Sequence, residues 1–95
     1  MKANTETLIK ALKACAVAHR TEFCDWSTYD SQVAIKSESV PAVSDVRSIC
    51  EAFFGTTSVV ETGWGYTTVY LDETPFLPEV DEETLRLALP SGTTL

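Results

Sequence analysis

The segment TTSVVETGWGYTTVYLDE, Thr56–Glu73, sets a tryptophan between two glycines in the middle of a β-branched and aromatic run. Val59-Val60 before it and Val69-Tyr70-Leu71 after it have strand composition, because such side chains pack well on a pleated surface. Gly63 and Gly65 mark where the backbone can take a positive φ and reverse. The expectation is a hairpin with its tip at Gly63-Trp64-Gly65, which makes Trp64 project. A second arrangement stays open, a single long strand in which Trp64, Tyr66, Thr68 and Tyr70 share one face as an aromatic ladder.

Helices are expected on both sides of the preceding strands. SVPAVSDVRSICEAFFG places Val43, Val46, Cys50 and Phe53 on one helical stripe with Ile49 and Phe54 alongside. Ser39 or Ser44 can cap its start, and Gly55 ends it. Upstream, TEFCDWSTYDSQVAIKSES alternates, with Phe23, Val33 and Ile35 pointing one way, and predicts two strands joined around STYDS. From Asn4 to Arg20, Leu8, Leu12, Cys15 and His19 recur at helical spacing, with Ile9 and Ala16 beside them. Asn4 is the expected cap, and Glu6 and Arg20 suit the two ends of the helix dipole.

After Asp72 the character changes. Pro75 and Pro78 bracket Phe76-Leu77 and favour an extended segment, and Asp81-Glu82-Glu83 then open a short helix carrying Leu85 and Leu89 up to Pro90. Residues 91–95 are expected to fray. The sum is one α+β domain over 1–95: helix, two strands, helix, two strands and a short acidic C-terminal helix. An antiparallel sheet of about four strands packs on the two main helices.

Composition narrows the function. Hydrophobic residues make up 44% of the 95 and charged residues 22%, so the chain can bury a core, though a small one. Three cysteines, Cys15, Cys24 and Cys50, cannot all pair within the chain, which favours reduced thiols. No apolar run reaches the roughly 18 to 20 residues a bilayer requires. MKANTETLIKALKACAVAHR spreads its cations through a helical pattern with no small-residue cleavage site, and is not expected to be a signal peptide. A cytoplasmic protein with no membrane contact is the expectation.

Charge is uneven. Residues 1–50 hold six cations and six acids; residues 51–95 hold one cation, Arg86, and eight acids, so the whole net charge of −7 lies in the second half. A surface of that sign disfavours direct nucleic-acid binding and favours a protein partner with a basic surface. Three sets of residues are candidates for its chemistry. Trp64, Tyr66 and Tyr70 supply aromatic contacts of the kind enriched at interfaces. Asp72, Glu73, Glu79, Asp81, Glu82 and Glu83 supply carboxylates that can imitate the phosphates of nucleic acid toward a Lys/Arg-lined groove, although acids in the first turn of a helix also stabilise that helix. Cys15, His19, Cys24 and Cys50 could furnish a zinc set, but cysteines on apolar stripes behave as small hydrophobes, and no metal or other cofactor is expected. The single histidine and the absence of a phosphate-cradling loop or nucleophile elbow argue against an enzyme.

The first half, from Leu8 to Gly55, resembles the helix, strand pair and proline-started helix of the large-polyvalent-protein-associated domains of phages and conjugative elements. That resemblance rests on the basic amphipathic first helix, the alternating QVAIKSES, and Val46, Ile49 and Phe53 at helical spacing; STYD stands where the pattern has a glycine-rich turn. It implies an origin in a mobile element. In size, acidity and lack of catalytic residues the chain is also similar to small phage-encoded inhibitors of bacterial defence, including anti-CRISPR proteins and DNA mimics, a group with no common motif. The resemblance implies a non-enzymatic inhibitor, acting in the host cytoplasm, that blocks a nucleic-acid-handling complex. A structural or regulatory assembly module is the alternative, with a homodimer among its forms; a small enzyme or a zinc-stabilised domain comes third.

Overall fold

The computed structural model describes residues 4–90 and Thr93. Along the chain these form α1 (Thr5–Ala18), β1 (Phe23–Trp26), α2 (Ser27–Asp30), β2 (Gln32–Ile35), α3 (Val40–Phe54), β3 (Val60–Gly63), β4 (Tyr66–Tyr70) and α4 (Glu82–Ala88). The expected α+β class holds, with α2 the single turn made by STYD between the first two strands.

The long helices start where local chemistry can satisfy their free N–H groups. Asn4 accepts from the Thr7 amide at 2.8 Å, and Ser39 accepts from the Ala42 amide at 3.3 Å, which selects Ser39 over Ser44 as the cap. Gly55, at φ 76°, closes α3. The end of α1 comes earlier than the sequence suggests. His19 is the C-cap, Arg20 turns left-handed at φ 55°, and the amides of Arg20 and Thr21 return to the Val17 and Ala16 carbonyls. That pair of bonds terminates a helix whatever residue carries the positive φ, and here no glycine marks it. On α3, Ala42 occupies the buried position while Val43 is only half-buried.

The four strands lie in the order β1-β2-β4-β3, every neighbouring pair antiparallel. Because β2 and β3 both run opposite to β4, they are parallel to each other, and α3 is the crossover between them. Register assigns the faces. Phe23, Ile35 and Thr67 share one row across the sheet; Asp25, Val33, Val69 and Val60 share another. These rows face the helices, and Val33, Ile35 and Val69 join Leu8, Leu12, Ile49 and Phe53 in the core. The alternate rows, Cys24-Ala34-Thr68-Glu61 and Trp26-Gln32-Tyr70, face away from every helix.

Beyond β4 the chain crosses onto the helical layer. The Leu77 amide donates to the Phe53 carbonyl at 2.8 Å, and Phe76 stacks on Phe54 with ring centroids 4.6 Å apart. Val80 and Leu85 then bury against α3. Thr93 donates its amide to the Pro90 carbonyl; apart from Thr93, the fraying expected at 91–95 falls outside the described residues. No helix among the described residues is long and apolar enough to cross a membrane.

Candidate binding face

Of the two arrangements open to Thr56–Glu73, the chain adopts the hairpin. Gly63 pairs with Tyr66, leaving Trp64 and Gly65 as the two residues of the loop, with φ values of 58° and 85°. Two positive φ angles define the mirror-image type I turn, which matches the right-handed twist of the flanking strands and normally carries Asn-Gly. Trp64 therefore occupies a left-handed position that costs an ordinary side chain roughly 1–2 kcal/mol. Its indole is 100% exposed, so no packing within the chain offsets that strain. The single-strand arrangement is excluded; the ladder it foresaw is kept by Tyr66, Thr68 and Tyr70, which share the outward face of β4.

The tip is braced from outside the hairpin. The Gly65 amide donates to Glu38 Oε2 at 3.1 Å, and Thr67, fully buried, donates its hydroxyl to the Ser37 carbonyl at 2.6 Å. The loop leading into α3 thus holds both the turn and the strand that follows it.

Behind the tip, the outward face of the sheet is aromatic. Trp26 and Tyr66 meet edge to face, centroids 5.2 Å apart at 64°. They close over Ala34, which is 1% exposed although it faces away from the helices. Tyr70 stands on the same face. The neighbouring Glu61 carboxylate, as a hydrogen-bonding group, together with desolvation and the charges of Glu61 and Glu73, raises the phenol above its ordinary 10.0. A hollow of about 330 Å³ lies among Trp26, Gln32, Glu61, Trp64, Tyr66 and Tyr70. Aromatic walls with one carboxylate suit a cationic side chain, which gains from the ring quadrupoles and from the fixed negative charge. A larger groove, about 610 Å³, follows α3 past Val40, Val43, Arg47 and Glu51, but it holds no aromatic anchor.

The acids divided by the fold do not make one patch with the rings. Glu61 and Glu73 adjoin the aromatic face. Glu82 and Glu83 are exposed on the first turn of α4, which packs on α3, in the layer behind the sheet. Asp81 accepts from the Glu83 and Thr84 amides at 2.8 and 3.4 Å, so its carboxylate serves as the cap of α4. Asp72, Glu73 and Glu79 lie exposed along the connection between β4 and α4. Sequence reasoning missed Trp26, Gln32 and Glu61. The usable signal for Trp26 was its odd spacing from Phe23, which puts it on the opposite face of β1.

The four-residue zinc set does not converge. Cys15 and His19 come together at the end of α1, Cys50 lies buried in the core, and Cys24 is on the outward face of the sheet. The third donor beside Cys15 and His19 is Asp45. All three thiols are free, and burial pushes both Cys15 and Cys50 up to about 12. A thiol-reactive probe near pH 8 is accordingly expected to modify one cysteine, Cys24, in the native protein and three after denaturation. Mapping label to Cys15 or Cys50 in the native state would contradict this burial.

No family model, curated protein or solved structure matches the chain.

Proposed function

We propose that this chain is a non-catalytic protein-binding module that receives a basic segment of its partner on the outward face of the sheet, with Trp64 as the leading contact. One observation carries the reading: a fully exposed tryptophan held at positive φ in a two-residue turn. The fold draws no stability from that side chain and would be served better by asparagine. Burying an indole of about 200 Å² at an interface contributes roughly 5 kcal/mol before ordering costs, which is the scale of a hot spot. A Lys or Arg of the partner fits the hollow behind it, against Trp26, Tyr66 and Glu61.

The net charge of −7 supports a basic partner of the kind that otherwise holds nucleic acid. An inhibitor carried by a phage or mobile element, covering such a surface on a host defence complex, is the setting we assign to it. Tagged protein used to capture partners from host lysate, with duplex DNA as competitor, tests this. DNA is expected to displace the captured partner, and capture is expected to weaken as salt shortens the Debye length to about 3 Å near 1 M. Glu61→Lys with Glu73→Lys is expected to weaken capture more than Glu82→Lys with Glu83→Lys. The reverse ranking would transfer the contact to the acidic helix and its phosphate mimicry. Capture indifferent to both salt and DNA would indicate an assembly module.

A further inference from the structure

Cys15 and His19 lie four residues apart at the end of α1, and Asp45 faces them from the second turn of α3. His19 Nε2 and Asp45 Oδ2 are 2.5 Å apart, and one donor atom from each of the three residues lies within 4.8 Å of the other two. We propose that Cys15, His19 and Asp45 form a binding site for one zinc ion where α1 meets α3. The site lies in the helical layer and is independent of the aromatic face.

The donor set selects the metal. Thiolate, imidazole and carboxylate together are zinc ligands, whereas calcium and magnesium take oxygen. Zinc bonds of about 2.0–2.3 Å hold tetrahedral donor atoms roughly 3.3–3.7 Å apart. Closure therefore asks the His19–Asp45 contact to open and the more distant donors to approach, each by about 1 Å, which side-chain rotation can supply. The His19 and Asp45 side chains are 19% and 31% exposed, so an entry path exists, while Cys15 is at 0%.

Charge favours occupancy as well. Zinc with one thiolate, one carboxylate and a neutral imidazole sums to zero, so the occupied site carries no net charge where α1 meets α3. Without metal the thiol keeps its proton, since burial and the Asp45 charge push Cys15 up to about 12. Zinc binding releases that proton to solvent, and affinity must fall as pH falls. Three protein ligands leave a fourth position for water. The competing account is a His19–Asp45 hydrogen bond that only ties two helices together.

Titration of reduced, metal-free protein with cobalt and then zinc separates them. One equivalent of cobalt is expected to give a tetrahedral visible spectrum with a thiolate charge-transfer band, bleached by one equivalent of zinc. Cys15→Ser should remove the band, Cys24→Ser should leave it, and His19→Gln and Asp45→Asn should each weaken zinc at least about tenfold. Absence of the band in the native sequence, its survival in Cys15→Ser, or its loss in Cys24→Ser overturns the site. Should Cys15→Ser fail to fold, the half-buried His19 decides: unchanged zinc affinity in His19→Gln rejects the proposal.

Discussion

Trp64→Asn is expected to raise the melting temperature and to lower partner affinity at the same time. The stability gain follows from the turn: asparagine tolerates the left-handed region, and Asn-Gly is the favoured pair for two positive φ angles. Relief of roughly 0.5–1 kcal/mol corresponds to a rise of about 2–8 °C for a domain of this size. Nothing offsets it, since a side chain at 100% exposure leaves no cavity and no lost contact. The affinity loss follows from the other half of the argument. Removing a tryptophan anchor costs about 2 kcal/mol or more, roughly thirtyfold in Kd. Thermal unfolding and a binding titration on the same preparation read both effects. A lowered melting temperature would show that the indole supports the hairpin, and an unchanged Kd would remove the tip from the interface.

That opposition of sign also explains which features the sequence exposed. The stripes of α1 and α3 and the inward side chains of β1 and β2 were legible from spacing, and the hairpin around Trp64 from its flanking glycines and strand-forming neighbours. Ends governed by left-handed residues other than glycine were not. Arg20 and Ser31 take φ values of 55° and 53° without any compositional mark, so α1 runs past its true end and the α2 turn is read only as a loop. The candidate face was half legible for a related reason. Tyr66 and Tyr70 follow from one strand's alternation, but Trp26 reaches Tyr66 from two strands away, over Ala34, and that contact depends on strand order β1-β2-β4. The same holds for Asp45, which meets Cys15 and His19 only through the packing of α1 on α3. Sheet order and helix pairing are non-local, and single-sequence periodicity carries no information about either.

Phe53→Ala carries the largest expected effect on stability, and its neighbour Phe76 turns that effect into a test of function. Phe53 is fully buried in the core and meets Phe76 edge to face at 6.2 Å, while its carbonyl receives the Leu77 amide. Truncating a buried phenylalanine costs about 3–5 kcal/mol, against a total of roughly 5–15 kcal/mol for a small domain. Phe53→Ala should therefore lower protection from hydrogen exchange throughout the sheet and helices together. Phe76 is only half-buried and belongs to the connection between β4 and α4. Phe76→Ala should unhook that connection, speeding exchange of the Leu77, Leu85 and Leu89 amides while the β2–β4 amides keep their protection. In that locally loosened protein the aromatic face is intact and the α4 acids are not held in place. Partner binding should persist if the outward face of the sheet is the contact, because Trp26, Trp64 and Tyr66 do not depend on α4. If the carboxylates of Glu82 and Glu83 imitate phosphates at fixed spacing, the same substitution should abolish binding, since a freed helix loses the geometry on which imitation depends.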